Sequence, residues 1–240
     1  TVHDKVHPNK AGAEKMATVW FEALKKVLSS SETVFSPDIV RYKTLENGDS
    51  LALHIFKPRN MQAGEKRPVI VYFFGGGWKL GTPLQFYREC AYYASKGMVA
   101  VSVDYRIEYL HHSTPFDSFE DAKDAICWLR SHASDYQLDP DKIAVAGGSA
   151  GGHLAAALGT IGSDEAVNYR PNLSVLYYPV VDMVSRGYGF PEIKRDFEKI
   201  SPIHHVSEAT PSTLILLGTK DPIVSVSYTH LRAHETGRNL

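Results

Sequence analysis

Five short, almost unbroken apolar segments limit how this chain can fold more than any other feature. They show little alternation of polar and apolar residues, as expected of parallel strands buried on both faces. They cover residues 69–74, 98–104, 142–146, 173–178 and 213–217. Helical patterns at 85–95, 118–132 and 150–159 lie between them. The order of strand, helix and strand predicts an α/β protein with a mostly parallel, doubly wound sheet.

Two further elements are predicted upstream of the first buried strand. The alternating segments 39–45 and 51–56 are separated by the turn-forming residues Glu46-Asn47-Gly48-Asp49, which predicts a β-hairpin. Before the hairpin, apolar residues recur at helical spacing over residues 13–28 and predict an amphipathic helix.

Composition excludes several kinds of partner. A net charge of −1, from 26 basic and 27 acidic residues, gives no attraction to nucleic acid or to an anionic membrane. The chain has no apolar run near the roughly 18 residues of a membrane span, so the sequence predicts a soluble protein. The 240 residues suffice for one main domain, and a small neutral molecule is the expected partner. The two cysteines, Cys90 and Cys127, fall in predicted helices and do not indicate a redox compartment.

Ser149 is the candidate nucleophile. It lies in Gly147-Gly148-Ser149-Ala150-Gly151, a G-x-S-x-G match directly between a predicted strand and a predicted helix. A serine at such a turn adopts a strained backbone conformation that projects its hydroxyl above the sheet. A purely structural turn and a phosphate-binding loop are the alternatives.

A second candidate feature is the run Gly75-Gly76-Gly77-Trp78, which follows the strand at 69–74. Consecutive glycines are costly in chain entropy, but their bare N–H groups can approach the oxyanion that forms during acyl transfer. The N–H of the residue after the nucleophile, Ala150, would complete such an oxyanion hole. A flexible loop is the alternative interpretation.

Four motifs together resemble the hormone-sensitive-lipase-like carboxylesterases and their acetyl-esterase and acetylxylan-esterase relatives. They occur in the family's order within residues 37–225, and they are Phe74-Gly75-Gly76-Gly77-Trp78, Asp104-Tyr105-Arg106, Gly147-Gly148-Ser149-Ala150-Gly151-Gly152 and Gly218-Thr219-Lys220-Asp221-Pro222. The resemblance implies an α/β-hydrolase fold, oxyanion donors at Gly76 and Gly77, and a triad acid at Asp221. The family usually has histidine where this chain has Phe74, so we expect altered packing of the glycine loop and retained donors.

The resemblance does not extend to the general base. The family's histidine follows the acid after a further helix and strand, whereas here His230 and His234 are the only histidines after Asp221 and neither lies in a family-like segment. We therefore expect the last strand and helix to be missing and residues 226–240 to be an atypical, non-native tail. His204 and His205 are expected beside a substrate-side loop, and His153 is expected to be a packing residue.

The N-terminus resembles a second esterase family. Asp4-Lys5-Val6-His7-Pro8 is similar to the C-terminal block of SGNH (GDSL) hydrolases, whereas Gly48-Asp49-Ser50-Leu51 matches that family's nucleophile block by coincidence. We therefore expect residues 1–30 to be the remnant of an upstream SGNH domain, 31–225 to be the α/β-hydrolase domain, and 226–240 to be the tail.

The sequence as a whole predicts a serine carboxylesterase that forms an acyl-enzyme on Ser149. Short acyl esters are the expected substrates, including acetyl groups on plant polysaccharide, and no metal or organic cofactor is implied. A secreted or periplasmic bacterial enzyme is compatible with this prediction, as is an oligomer. The alternatives are a peptidase-type acyl hydrolase on the same fold and an α/β-hydrolase-fold binding module that is catalytically impaired because it lacks the base.

Overall fold

A computed structural model of the chain describes residues 36–162, 169–183, 196–218 and 221. The chain divides into two units, Thr1–Ser36 and Pro37–Leu240. The predicted amphipathic helix, the SGNH-like block and the tail from residue 226 onward all lie outside the described residues.

The described residues of the second unit form a mixed sheet of seven strands in the order β1-β2-β4-β3-β5-β6-β7. The first two strands form the predicted hairpin, β2 is antiparallel to β4, and all other neighbours are parallel. The strands are β1 Asp38–Thr44, β2 Ser50–Phe56, β3 Arg67–Phe73, β4 Val99–Val103, β5 Leu138–Gly148, β6 Leu173–Tyr177 and β7 Ser212–Leu216. This arrangement confirms the predicted α/β class and its mostly parallel sheet.

Four α-helices connect the strands in the described part of the chain. They are α1 Tyr87–Ser95, α2 Glu108–His111, α3 Pro115–Ser131 and α4 Ala150–Thr160. A 3₁₀ helix at Pro83–Phe86 precedes α1, and two more occur at Phe197–Lys199 and Pro202–His205. None of the described helices combines the length and the apolar character that a membrane span needs.

The start of α3 shows how local sequence sets an element boundary. Thr114 is its N-cap and forms a capping box with Asp117, and Pro115 occupies the first helical position, where its missing N–H costs nothing. Burial opposes ionisation of Asp117, but hydrogen bonds from Thr114 and the nearby Arg106 guanidinium lower its pKa. Glycine and proline are absent from the rest of the helix, which therefore continues to Ser131.

The centre of the sheet sets the position of the candidate site. Strand β3 lies between β4 and β5, and Val71 pairs with Val101 on one side and Val145 on the other. All three valines are fully buried. Because β3 to β7 are parallel, the loops after their last residues lie along one edge of the sheet, where open α/β sheets bind ligands.

The burial predicted for the last two strands is wrong. The sequence indicated strands buried on both faces, but Leu214 and Leu216 of β7 are 53% and 46% exposed, and Leu173 of β6 is 41% exposed. In the described part of the chain, β7 has a strand neighbour on one side only. Its apolar residues therefore lack the cover that the central strands receive.

A buried carboxylate links α3 to β1 and to the segment that follows β4. Asp121 on α3 is fully buried and accepts hydrogen bonds from the Arg106 backbone N–H, the Arg106 guanidinium and the ammonium group of Lys43 on β1, at 2.7 to 2.9 Å. A buried charge is tolerated only when it is paired in this way. The Asp121 contacts therefore hold the segment after β4 in a single position.

Candidate active site

Ser149 occupies a strained turn between β5 and α4. Its φ of 55° and ψ of −118° lie where L-residues other than glycine are rare. Its N–H donates to the Tyr177 carbonyl at 3.0 Å, and its own carbonyl accepts from the His153 N–H at 2.9 Å. The residues on either side are buried, whereas Ser149 is partly exposed. Strain of this kind, about 1–3 kcal/mol, is characteristic of functional sites.

Close backbone contacts require the glycines around Ser149. A Cβ on Gly151 would lie 2.0 Å from the Phe73 carbonyl oxygen, and one on Gly147 would lie 2.3 Å from the Gly151 oxygen. At Gly148 the neighbour is a side chain, since a Cβ there would lie 2.9 Å from the Tyr178 hydroxyl, which can move aside. The G-x-S-x-G pattern therefore reflects the tight junction of β3, β5 and α4.

The glycine run after β3 lies directly against the serine turn. Phe73 and Gly147 are register partners at the ends of β3 and β5, so the two following segments meet. A Cβ on Gly75 would lie 2.8 Å from the Gly148 carbonyl oxygen and 3.5 Å from the Ser149 Cβ. The structure thus brings together the nucleophile candidate and the loop that holds the donor candidates.

The N–H groups of the three glycines in this loop differ in their hydrogen bonding. The Gly75 N–H donates to the Gln85 side-chain oxygen at 2.5 Å. Among the hydrogen bonds between described residues, none takes up the N–H of Gly76 or Gly77, where φ is 141° and 63°. Ala150 is the first residue of α4, and an N–H at that position has no partner within the helix. Within the described part of the chain, the N–H groups of Gly76, Gly77 and Ala150 therefore have no hydrogen-bond acceptor.

Phe74, which departs from the family's histidine, is part of an aromatic support under the loop. It is fully buried, and its ring stacks on Tyr105 with centroids 4.0 Å apart and planes 14° apart. The Tyr105 hydroxyl donates to the Phe74 carbonyl at 2.6 Å. Tyr105 belongs to the Asp104-Tyr105-Arg106 motif, to which the sequence assigned no contact.

Asp221 follows β7 at the same edge of the sheet. It is partly buried, and its N–H donates to the Gly218 carbonyl at 3.1 Å. His230 and His234 lie outside the described residues. The structure therefore describes the acid candidate but neither of the two tail histidines.

The remaining histidine candidates have structural contacts. His153 on α4 is fully buried, its Nε2 lies 2.6 Å from the Ile200 carbonyl oxygen, and its ring contacts Trp78 edge-on. His205 Nε2 lies 2.7 Å from the Glu198 carbonyl oxygen, and the His204 ring lies near Phe197. With a carbonyl oxygen as the partner, Nε2 carries the proton and is unavailable as a base.

His153 is expected to make stability depend on pH. Burial lowers its pKa to about 4 in the folded state, whereas an imidazole in the unfolded chain titrates near 6.5. Between these values the unfolded state binds more protons, so the stabilisation is complete above about pH 6.5 and is lost as the pH falls towards about 4. Urea titrations over this range should show the free energy of unfolding falling by up to about 3 kcal/mol from this group.

The matched variant is His153→Gln, which keeps an N–H donor for the Ile200 carbonyl and does not titrate. Its free energy of unfolding should fall less steeply on acidification than that of the unmodified chain. Identical slopes for the two proteins would contradict this role of His153.

Two residues of the site, Gln85 and Tyr178, were not predicted from the sequence. Gln85 lies on the 3₁₀ helix before α1 and contacts Gly75. Tyr178 has a φ of 38° and is 45% exposed, with its hydroxyl beside Gly148. In open α/β sheets, ligands bind beyond the carboxyl ends of the parallel strands. This rule would have indicated Tyr178, which directly follows β6, but not Gln85.

Comparison with known proteins identifies relatives of this chain. The BD-FAE family profile matches residues 53–195. Among curated proteins of Mycobacterium tuberculosis, esterase LipC is 30% identical over 205 residues, 72% of this chain and 49% of its own length, and esterase LipQ is 29% identical over 203 residues, 72% and 46%. The chain thus spans about half the length of the curated relatives it matches.

Solved structures give a fuller match. Esterase Est2 of Thermogutta terrifontis is 35% identical with a TM-score of 0.75, over 80% of this chain and 74% of that protein. Structures of the same esterase are described as propionate-bound, butyrate-bound and phosphoramylated by tabun. The family match covers more than half of the chain and the structural match more than two thirds of Est2, so this chain is a member of the BD-FAE family with the α/β-hydrolase fold of these esterases.

Proposed function

We propose that this protein is a serine carboxylic ester hydrolase that forms an acyl-enzyme on Ser149. The observation that carries the proposal is the contact between the strained Ser149 turn and the Gly75–Gly77 loop, which leaves available donors beside a partly exposed serine. A purely structural turn would not require unfilled N–H groups at this point.

In the proposed mechanism, Ser149 Oγ attacks the ester carbonyl carbon and transfers its proton to a general base. The N–H groups of Gly76, Gly77 and Ala150 stabilise the oxyanion of the tetrahedral intermediate. Collapse of the intermediate breaks the bond to the alcohol oxygen, which takes the proton and leaves as the alcohol. Water then attacks the acyl-enzyme by the same route and releases the acid.

Asp221 is proposed as the group that orients the base and stabilises its charged form. Of the described histidines that the sequence singled out, His153 and His205 are engaged with backbone carbonyls and His204 lies beside Phe197, so the base is assigned to none of the three. We keep the expectation that His230 and His234 are poor substitutes for the family's histidine. Turnover at the family's rate requires one of them, or an imidazole of a partner subunit, to reach Ser149.

Short acyl esters are the proposed substrates, including acetyl groups on plant polysaccharide. The binding of propionate and butyrate by Thermogutta terrifontis Est2, 35% identical to this chain, supports the preference for a short acyl chain. The partly exposed Tyr178 beside Gly148 provides an aromatic surface next to the reacting atoms.

Turnover of a p-nitrophenyl ester series tests this proposal. We expect kcat/KM to be highest for the acetate or butyrate ester and to fall steeply towards the palmitate ester. Acetylated xylan should release acetate, whereas a p-nitroanilide of the same acyl group should be a poor substrate. A maximum at palmitate would contradict the short-chain assignment, faster anilide hydrolysis would favour a peptidase, and no turnover above Ser149→Ala would favour a binding module.

A further inference from the structure

Two side chains hold a single peptide group in the loop next to Ser149. The Phe74 carbonyl accepts from the Tyr105 hydroxyl at 2.6 Å, and the Gly75 N–H donates to the Gln85 side-chain oxygen at 2.5 Å. This carbonyl and this N–H belong to the same peptide unit, which is planar. Both polar groups of the unit are therefore engaged, from opposite sides, by a residue of the 3₁₀ helix at Pro83–Phe86 and a residue of the segment after β4.

The position of this peptide unit determines where the next donors lie. Gly75, Gly76 and Gly77 follow it without a break, and glycine restricts its own backbone less than any other residue. A run of glycines lets the backbone approach an oxyanion closely, but it does not fix the direction in which the N–H groups point. Side chains hold both polar groups of the Phe74–Gly75 peptide, and this peptide directly precedes the proposed donors. Its orientation therefore sets the direction in which the glycine loop begins.

We propose that Gln85 and Tyr105 are positioning residues that aim the Gly76 and Gly77 N–H groups at the oxyanion. The inference rests on the proposed function, because it concerns the donors of that same site. It also explains why Gly75 is not a donor to substrate, since its N–H is already used by Gln85.

The surroundings of the two side chains make them suitable anchors. Tyr105 is fully buried, and burial raises its pKa, so its hydroxyl remains a donor throughout the neutral pH range. The next residue, Arg106, is bound to Asp121 through both backbone and side chain. The 3₁₀ helix that carries Gln85 is held by a hydrogen bond from the buried Ser102 hydroxyl to the Pro83 carbonyl at 2.7 Å.

Gln85 is exposed, and this makes it the better residue for a test. Gln85→Met removes the acceptor with little change in size and little risk to folding. Loss of one aligning hydrogen bond should lower kcat for p-nitrophenyl acetate about tenfold with KM almost unchanged, because the aligned donors act on the transition state. Affinity for a trifluoromethyl ketone, which forms an oxyanion on Ser149, should fall by the same factor, and the melting temperature should fall by only a few degrees, because one hydrogen bond is lost.

Tyr105→Phe provides a second, independent variant, since it keeps the stacked ring and loses only the hydroxyl. The double variant should lose less activity than the product of the two single losses, because both hydrogen bonds act on one peptide unit. Gln62→Met is the matched control, an exposed glutamine in the loop before β3, at the other end of that strand. We expect the control to retain full activity.

The outcomes separate this inference from the function on which it rests. If the unmodified chain shows no Ser149-dependent hydrolysis, the proposed function fails and the inference fails with it. If the chain hydrolyses esters but Gln85→Met matches Gln62→Met, or loses activity through KM alone, the positioning role is wrong and the function stands. A double variant whose loss equals the product of the single losses would contradict action through one peptide.

Discussion

Ser149→Ala is expected to reduce hydrolysis of p-nitrophenyl acetate to the rate that the oxyanion donors and substrate binding supply without a nucleophile. Where a general base activates Ser149, losses of this kind amount to about 10⁴- to 10⁶-fold in kcat, because no acyl-enzyme can form; without such a base the loss is smaller, because the groups of a triad act as a unit. The fold should be retained, since alanine also fits the turn between β5 and α4, although it keeps the strain at φ 55°. Steady-state kinetics together with fluorophosphonate labelling measure the effect.

The matched control for this variant is Ser134→Ala. Ser134 is exposed in the loop before β5, whereas Ser149 follows the end of the same strand. The control should be labelled by fluorophosphonate and should turn over substrate like the unmodified chain. Labelling that persists in Ser149→Ala would show that another residue is the nucleophile.

The second large effect is expected for Gly76→Ala. A Cβ at this position would lie 1.9 Å from the Leu80 carbonyl oxygen, and the φ of 141° is one that alanine rarely adopts. The loop must therefore move, and the N–H groups of Gly76 and Gly77 move with it. Loss of one oxyanion donor costs about 10²- to 10³-fold in kcat, so we expect a decrease of at least this size.

Gly48→Ala separates the loss of donors from simple backbone strain. Gly48 also has a positive φ, of 89°, but it lies in the β1–β2 turn, where an added Cβ would meet no atom within 4 Å. Both variants should unfold at somewhat lower temperature, and only Gly76→Ala should lose activity while folded. A near-normal kcat in folded Gly76→Ala would show that this loop does not form the oxyanion hole.

Prediction from sequence succeeded where a single segment carries its own signal. The central strands are almost entirely apolar because they are covered on both faces, and the hairpin is marked by its turn residues. Boundaries were less accurate where pairing extends into polar residues. Strand β5 begins at Leu138 and includes the polar residues Asp139, Asp141 and Lys142, four residues before the predicted start at Lys142. The single turn of α2 was missed because it is too short to show helical periodicity.

The order of the strands in space was not available from any one segment. The chain makes β4 directly after β3, yet β5 is the other neighbour of β3 in the sheet. This placement makes Phe73 and Gly147 register partners, and it brings the glycine loop to the serine turn. Local patterns record the conformation and burial of a segment but not which distant segment will pair with it.

The amino-acid sequence was therefore sufficient for the elements of the candidate site: a strand, a glycine-lined turn with Ser149, and a helix, preceded by a second glycine loop. Only the tertiary structure decided how these parts are used. It showed that Gly75 donates to Gln85, that Tyr105 supports Phe74, and that the expected packing residue His153 has the Ile200 carbonyl as its hydrogen-bond partner. The physical reason is that turn and strand formation depend on neighbouring residues, whereas the use of each N–H and each ring depends on which distant side chains the folded sheet brings within hydrogen-bonding distance.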